Sequence, residues 1–427
     1  MTRNWLSEAR ALDEADRLKG FRSRFHLPKD GIYMDGNSLG LASVDALKSL
    51  ERAAEEWRTR GIGGWLEAAP DWFTYGERIG AAMAPLVGAH PDEVVMTGST
   101  TSNLHTLVAT YFTPEGKRRK ILADELNFPS DLYALESQIR MKGGDPARDL
   151  LLAKSADGRT LSEDDLIGMM DETVALALLP GVLYRSGQLL DIRRLTKAAH
   201  ERGVVIGFDC AHSVGSVAHT LHDDDVDFAF WCSYKHLNGG PGSPAFLFLH
   251  ERHFDREPGM AGWFGYVKSR QFDMALGFEH ARSAGGWQLG TPPVLSAATL
   301  EAALEIQEEA SIEAIREKSL KLTDFLVELV DGFLSEEPYG YSVASPRDRK
   351  RRGGHLAIEH PAEAWRICCA LKARGIIPDF RPEKVIRVAP VALYNTFTEV
   401  WQVACALKGI IDDREYERFP RERSAVS

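Results

Sequence analysis

The sequence predicts an α/β fold: a large domain built on a mainly parallel, doubly wound sheet flanked by helices, with a smaller α/β domain towards the C-terminus. Three observations predict it. Between about residues 45 and 290, helical periods alternate with short apolar runs. Most of those runs are continuously apolar, as befits strands covered on both faces. After residue 295 the texture changes to a long helical period followed by short strands and helices. The expected divisions are an N-terminal segment, 1–45, packing with the small domain; a large domain, 46–295; and a bridging helix with the small domain, 296–427.

In order, EVVMTG (93–98) reads as a strand feeding the helical period SNLHTLVATYF, and KILAD (120–124) as the next strand. VALALLP (174–180) follows. IRRLTKAAHERG is an amphipathic helix whose Gly203 stands where a left-handed terminator belongs. GVVIGFD (203–209), DFAFWC (227–232) and PAFLFLH (244–250) complete the set. The stretch SAATLEAALEIQEEASIEAIREKSLKLTDFLVELVDGFL reads as one long bridging helix, and the basic run SPRDRKRRGGH (345–355) as a solvated loop, with substrate contact as the lesser reading.

Of 427 residues, 44% are apolar and 26% charged, with a net charge of −11, which describes an ordinary globular protein and argues against nucleic acid as the main partner. Small molecules are the expected ligands. Five cysteines without a C-x-x-C pair suggest neither a disulfide framework nor a zinc site, so no metal is expected and a reducing cytoplasm fits best. The first twenty residues carry charges every few positions, unlike a signal peptide, and no apolar run approaches membrane-spanning length.

Chemistry concentrates in GFDCAHSVG (207–215) and FWCSYKHLNGGPG (230–242). The first ends a strand on Asp209 and the second delivers Tyr234-Lys235 at a neighbouring strand end, the edge where open α/β sheets bind ligands. An amine that can form an imine and a carboxylate that can keep a pyridine nitrogen protonated are what pyridoxal 5'-phosphate (PLP) requires. Taken singly, such a lysine is usually solvated and such an aspartate usually a cap. A third segment, TGSTTSNLH (97–105), opens a helix with Ser99, Thr100 and Thr101, an ordinary N-cap by itself and a phosphate cradle in this company.

These residues also resemble a family. DGNSLG (35–40), NFPSD (127–131), SGQLLDI (186–192), FDCAHSVG (208–215), WCSYKHLNGGPG (231–242), GWFGY (262–266) and IRVAPVALYNTFTEV (386–400) are similar in order and spacing to kynureninase, a fold type I PLP enzyme of the class V aminotransferase-like superfamily. The resemblance implies hydrolysis of L-kynurenine, or its 3-hydroxy form, to anthranilate, or 3-hydroxyanthranilate, and L-alanine. It assigns Lys235 to the imine, Asp209 to the ring nitrogen and Tyr234 to the phosphate and to proton relay. Thr100, Thr101, Phe128, Pro129, Ser130, Asp131 and His212 become cofactor contacts, and Trp263 and Thr291 cofactor contacts from the second subunit of a homodimer. Arg387, with Asn37 and Ser38, would hold the substrate, the arginine fork meeting its α-carboxylate. His236 stands where animal members usually carry tyrosine, and segment 61–73 lacks the histidine they place near the substrate ring, so the preferred substrate form stays open. Another class V enzyme, an aminotransferase or a cysteine desulfurase, and a non-catalytic PLP-binding regulator are the alternatives.

Overall fold

The computed structural model describes residues 3–422. Its strands are β1 (Ile32–Tyr33), β2 (Val94–Met96), β3 (Lys120–Asp124), β4 (Leu150–Ala153), β5 (Val174–Pro180), β6 (Val205–Asp209), β7 (Phe228–Trp231), β8 (Phe246–Leu249), β9 (Ser342–Val343), β10 (Leu356–Glu359), β11 (Ile376–Ile377), β12 (Asp379–Arg381) and β13 (Val385–Val388). Seven form the large sheet, ordered β2-β8-β7-β6-β5-β3-β4. β8 runs antiparallel to β2 and β7, and every pairing from β7 to β4 is parallel. The C-terminal ends of β2, β3, β5, β6 and β7 therefore open on one edge.

All six predicted strands are present, and the wholly buried β7 and β8 show why their runs are continuously apolar. β4 is an addition: at the sheet margin three of its four residues are only partly covered, and a run that short has no period to distinguish it from a helix fragment. The helix Ile192–Glu201 starts on Asp191, whose side chain caps Arg194 N–H, and stops at left-handed Gly203 (φ 67°).

The single bridging helix is corrected to two, Val294–Ala310 and Ile312–Phe333, broken at Ser311 (φ 60°). Ser311 Oγ accepts the Ala314 N–H at 3.2 Å. The serine thus offers the backbone a cap in place of a helical turn, and the chain passes there from the core of the large sheet to that of the small domain.

The small domain carries an antiparallel sheet, β12-β13-β10-β9, packed beneath Ile312–Phe333, Ala364–Ala373 and Phe397–Asp412. The N-terminal helix Trp5–Glu14 docks on it: the Asp13 carboxylate accepts the N–H groups of Phe397 (2.6 Å) and Thr398 (3.0 Å), capping the last of those helices from a distant part of the chain. β1 pairs with β11 in parallel, which draws the following residues, including Asn37 and Ser38, against the small domain.

Candidate active site

At the C-terminal edge, the ends of β2, β6 and β7 surround one cavity of about 190 Å³. At its base lies the Asp209 carboxylate, 8% exposed, accepting the Ala211 N–H at 2.8 Å. Asp131 faces it from the helix Pro129–Met141. Burial, and then the neighbouring Asp209, push Asp131 well above the carboxylate range. Burial raises Asp209 too, while the Lys235 charge and the Ala211 N–H oppose it. Burial and the repulsion between two neighbouring carboxylates thus favour a proton retained at the pair.

Lys235 Nζ lies 2.8 Å from His212 Nε2. Burial, then the positive charge of Lys235, depress His212 far below its ordinary value, so it is a neutral imidazole able to accept from the amine. Tyr234 lines the cavity, its phenol raised by burial and by Cys232.

The opposite end is a hydroxyl-lined helix start. Gly98 (φ 53°) turns the chain out of β2 where a Cβ would lie 2.5 Å from Ser102 Oγ. Ser99 then caps the helix Thr100–Tyr111 in a reciprocal box with Ser102. Thr101 Oγ1 and Ser130 Oγ are 3.0 Å apart, and Ser99, Thr100 and Thr101 all face the cavity. A twelve-residue helix ending its dipole on a hydroxyl-lined cavity is suited to a phosphate. Phe128, 46% exposed, presents its ring there. Pro129 does not line the cavity: it is exposed at the first helical position, where its ring pre-sets φ.

Of the predicted substrate residues, Arg387 and Ser38 meet, near His212, and none of Arg387, Asn37 and Ser38 lines the cavity itself. Arg387 is 1% exposed on β13. Its Nε donates to Asp379 Oδ2 at 2.7 Å, its Nη1 to the Tyr184 carbonyl at 2.7 Å and its Nη2 to Ser38 Oγ at 3.0 Å, with an Nη2–Asp379 ion pair besides. Its carboxylate-matching fork is thus turned to Asp379, which the sequence did not foretell. Asn37 is fully buried with neither amide atom hydrogen-bonded among the described residues.

Trp263 and Thr291 lie outside the cavity. Trp263 is 46% exposed and Thr291 borders an open apolar cleft with Trp57, Trp65 and Trp72. The basic run is not a simple solvated loop. Arg349 and Arg352 pair with Asp324, and Arg347 with Asp331, so the loop is fastened to the long helix. It also reaches the site: Leu189 N–H donates to the Arg351 carbonyl at 2.9 Å and Gly353 N–H to the Gly187 carbonyl at 2.8 Å, which seats His355 beside His212, ring centroids 5.8 Å apart.

Sequence reasoning missed His355, and also Ser243, Cys232, Ala211 and Ala245, which line the cavity. The one local signal was position, Ser243 directly after the Gly239–Gly242 turn and His355 directly after Gly353-Gly354. Burial pushes Cys210 and Cys368 up to about 12, and Cys232, the one at the cavity, upward as well, which disfavours the thiolate a desulfurase requires.

PLP fits this donor set. The aldehyde carbon requires the amine of Lys235, the pyridine nitrogen a carboxylate as deep as Asp209, and the phosphate the helix start at Ser99–Thr101. Fold and site together define a fold type I pyridoxal-phosphate enzyme. One family pattern, described as kynureninase C-terminal domain, matches residues 315–407. Kynureninase of Geobacillus thermodenitrificans is 53% identical over 422 residues, covering 99% of this chain and 98% of its own; that of Shouchella clausii is 54% identical over 98% and 97%. The chain belongs to the kynureninase family. In fold it also matches a cysteine desulfurase from Thermococcus onnurineus at TM-score 0.79 and 19% identity, covering 92% of this chain and 98% of that one. The cystine C–S lyase C-DES matches at TM-score 0.76 and 16% identity, over 88% and 97%.

Proposed function

We propose that Lys235, Asp209 and Tyr234 carry out the hydrolysis of L-kynurenine to anthranilate and L-alanine, with pyridoxal 5'-phosphate as cofactor; the carrying observation is the amine of Lys235 and the buried carboxylate of Asp209 in one cavity. When bound, the cofactor supplies an electrophilic carbon for the substrate amine and an electron sink for the bonds broken at Cα and beyond. Asp209 would hold the ring nitrogen protonated, and the neighbouring Asp131, raised by burial and by Asp209, favours a proton retained at the pair. Lys235, which would hold the cofactor's aldehyde, would take the Cα proton and return it to Cα as L-alanine is completed, and neutral His212 accepts a hydrogen bond from Nζ to fix its position. Thr100, Thr101, Ser130 and Tyr234 would hold the phosphate end, and Phe128 would contact the ring. Water adds to the aryl ketone, the Cβ–Cγ bond breaks, and Tyr234 delivers the proton that Cβ requires. Arg387, Asn37 and Ser38 hold the amino-acid end.

The same reading places Trp263 and Thr291, outside the cavity of their own chain, at the site of a second copy, so that a homodimer completes each active site. Three units, 1–45, 46–295 and 296–427, and a cytoplasmic setting complete the proposal; no described helix is long and apolar enough to cross a membrane. The test is anthranilate fluorescence after mixing the holoenzyme with L-kynurenine. Lys235→Ala is expected to lower the rate by more than about 1,000-fold. An intact cofactor absorbance with no anthranilate from kynurenine and no 3-hydroxyanthranilate from its hydroxylated form overturns the substrate.

A further inference from the structure

We infer that His355 is a second ligand for the substrate α-carboxylate, acting beside Arg387 to fix how the amino-acid end lies against Lys235. The inference rests on Arg387 as the carboxylate holder and deepens that assignment. Arg387 cannot do the work alone in the arrangement it has. Of the five N–H groups of a guanidinium, the Nε and one Nη1 go to Asp379 and Tyr184, and both on Nη2 go to Ser38 and Asp379. One Nη1 donor remains for a group with two oxygens.

His355 is placed to supply the next donor. The loop leading to it is locked to the turn carrying Tyr184, and the fit is close: a Cβ at Gly187 would lie 2.6 Å from the His355 carbonyl and 3.4 Å from its Nε2. The side chain is 0% exposed, and among the described residues neither ring nitrogen has a hydrogen bond of acceptable geometry. The Tyr184 carbonyl is near enough to favour a proton on the ring, but it already accepts from Arg387. A buried imidazole left with an unused donor and acceptor is costly and calls for a ligand.

The surroundings say which ligand. The charged and titratable groups facing His355 are Arg387, His236, Lys235 and His212. Burial, and then Arg387, hold the imidazole well below its ordinary value, so it is a neutral donor amid positive charge, hostile to a cation and suited to an anion. Arg387 and His355 are both enclosed, at 1% and 0% exposure, and the guanidinium acts directly on the imidazole, so the two are neighbours.

The test uses the holoenzyme and two probes that share no end of the substrate: L-alanine, which carries the α-carboxylate, and 2-aminoacetophenone, an aryl ketone without it. In His355→Leu the L-alanine inhibition constant and the KM for L-kynurenine rise by about 10- to 100-fold, the loss of a hydrogen bond to a charged group. The 2-aminoacetophenone constant and the cofactor absorbance stay within about twofold, because neither involves the carboxylate. His355→Gln, which keeps an N–H donor, recovers most of the loss. In the wild type the imidazole 15N resonances of His355 move on adding L-alanine and not on adding 2-aminoacetophenone, a reading that holds even if the leucine variant does not fold. Unchanged L-alanine affinity in His355→Leu, or an imidazole indifferent to L-alanine, overturns the inference. So does joint loss of both probes and the cofactor in His355→Gln, as a purely structural imidazole would give. An unchanged L-alanine constant in Arg387→Lys, with a weakened one in His355→Leu, removes Arg387 from the role and leaves His355 in it.

Discussion

The two edges of the large sheet both gather carboxylates and imidazoles, and use them in opposite ways. At the N-terminal edge the Asp227 carboxylate takes the Ile206 N–H at 2.8 Å, His200 Nε2 at 3.0 Å, His253 Nε2 at 2.8 Å and Arg252 Nη2 at 2.7 Å. Burial alone would raise it, yet these partners hold it far below the usual carboxylate range. Glu93, 0% exposed, is likewise engaged by the N–H groups of His90 and Glu251, both at 2.8 Å, and by His222 at 2.9 Å. At the C-terminal edge one oxygen of Asp131, Nδ1 of His212, Nε2 of His236 and both nitrogens of His355 have no hydrogen-bond partner among the described residues. A saturated polar cluster is architecture, and an unsaturated one of similar composition is a site made for something else.

That contrast is broken or sharpened by substitution at matched positions. Asp209→Asn is expected to have the largest effect, lowering kcat/KM for anthranilate release by about 1,000-fold, or ~4 kcal/mol, while the cofactor-free protein unfolds in urea within about 1 kcal/mol of the wild type. Asp227→Asn should do the reverse, costing about 3–5 kcal/mol in urea unfolding by stranding its cationic partners, with kcat per folded molecule nearly unchanged. If Asp209→Asn proves the destabilising change and Asp227→Asn the inactivating one, the assignment of edges is wrong.

The pH dependence of unfolding gives a smaller effect. Burial first, then Lys235 and Arg387, push His236 from its usual 6.5 down to about 3. Between those values the unfolded chain binds the extra proton, so acid favours unfolding. Cofactor-free wild type should lose about 2 kcal/mol more than His236→Gln between pH 7 and pH 5. Equal pH slopes would mean that His236 is not held neutral. The smallest expected change is Glu93→Gln, about 1 kcal/mol of stability with unaltered KM, checked by the same urea series beside steady-state kinetics.

Much of the site was legible because its parts are local. Asp209, Lys235 and Ser99–Thr101 each sit at the end of a continuously apolar run, and such runs declare both a strand and the edge at which it stops. The helix break at Ser311 was less legible, since a serine inside a helical period reads equally as a cap or as a passenger. Arg387 was recognisable as an arginine suited to a carboxylate, but its engagement by Asp379 depends on the β12–β13 register.

By itself the amino-acid sequence determined the parallel sheet and the strand-end positions of Lys235, Asp209 and the Ser99–Thr101 helix start, because hydrophobic period and strand-end chemistry are written within a few consecutive residues. Only the tertiary structure decided that Asp131 lies against Asp209, that Trp263 and Thr291 stand outside their own chain's cavity, and that a basic loop carries His355 near Arg387. Those outcomes depend on residues far apart in the chain being brought together, within the large sheet and its helices for the first two and where the small domain meets the sheet edge for the third, and no local pattern specifies such a meeting.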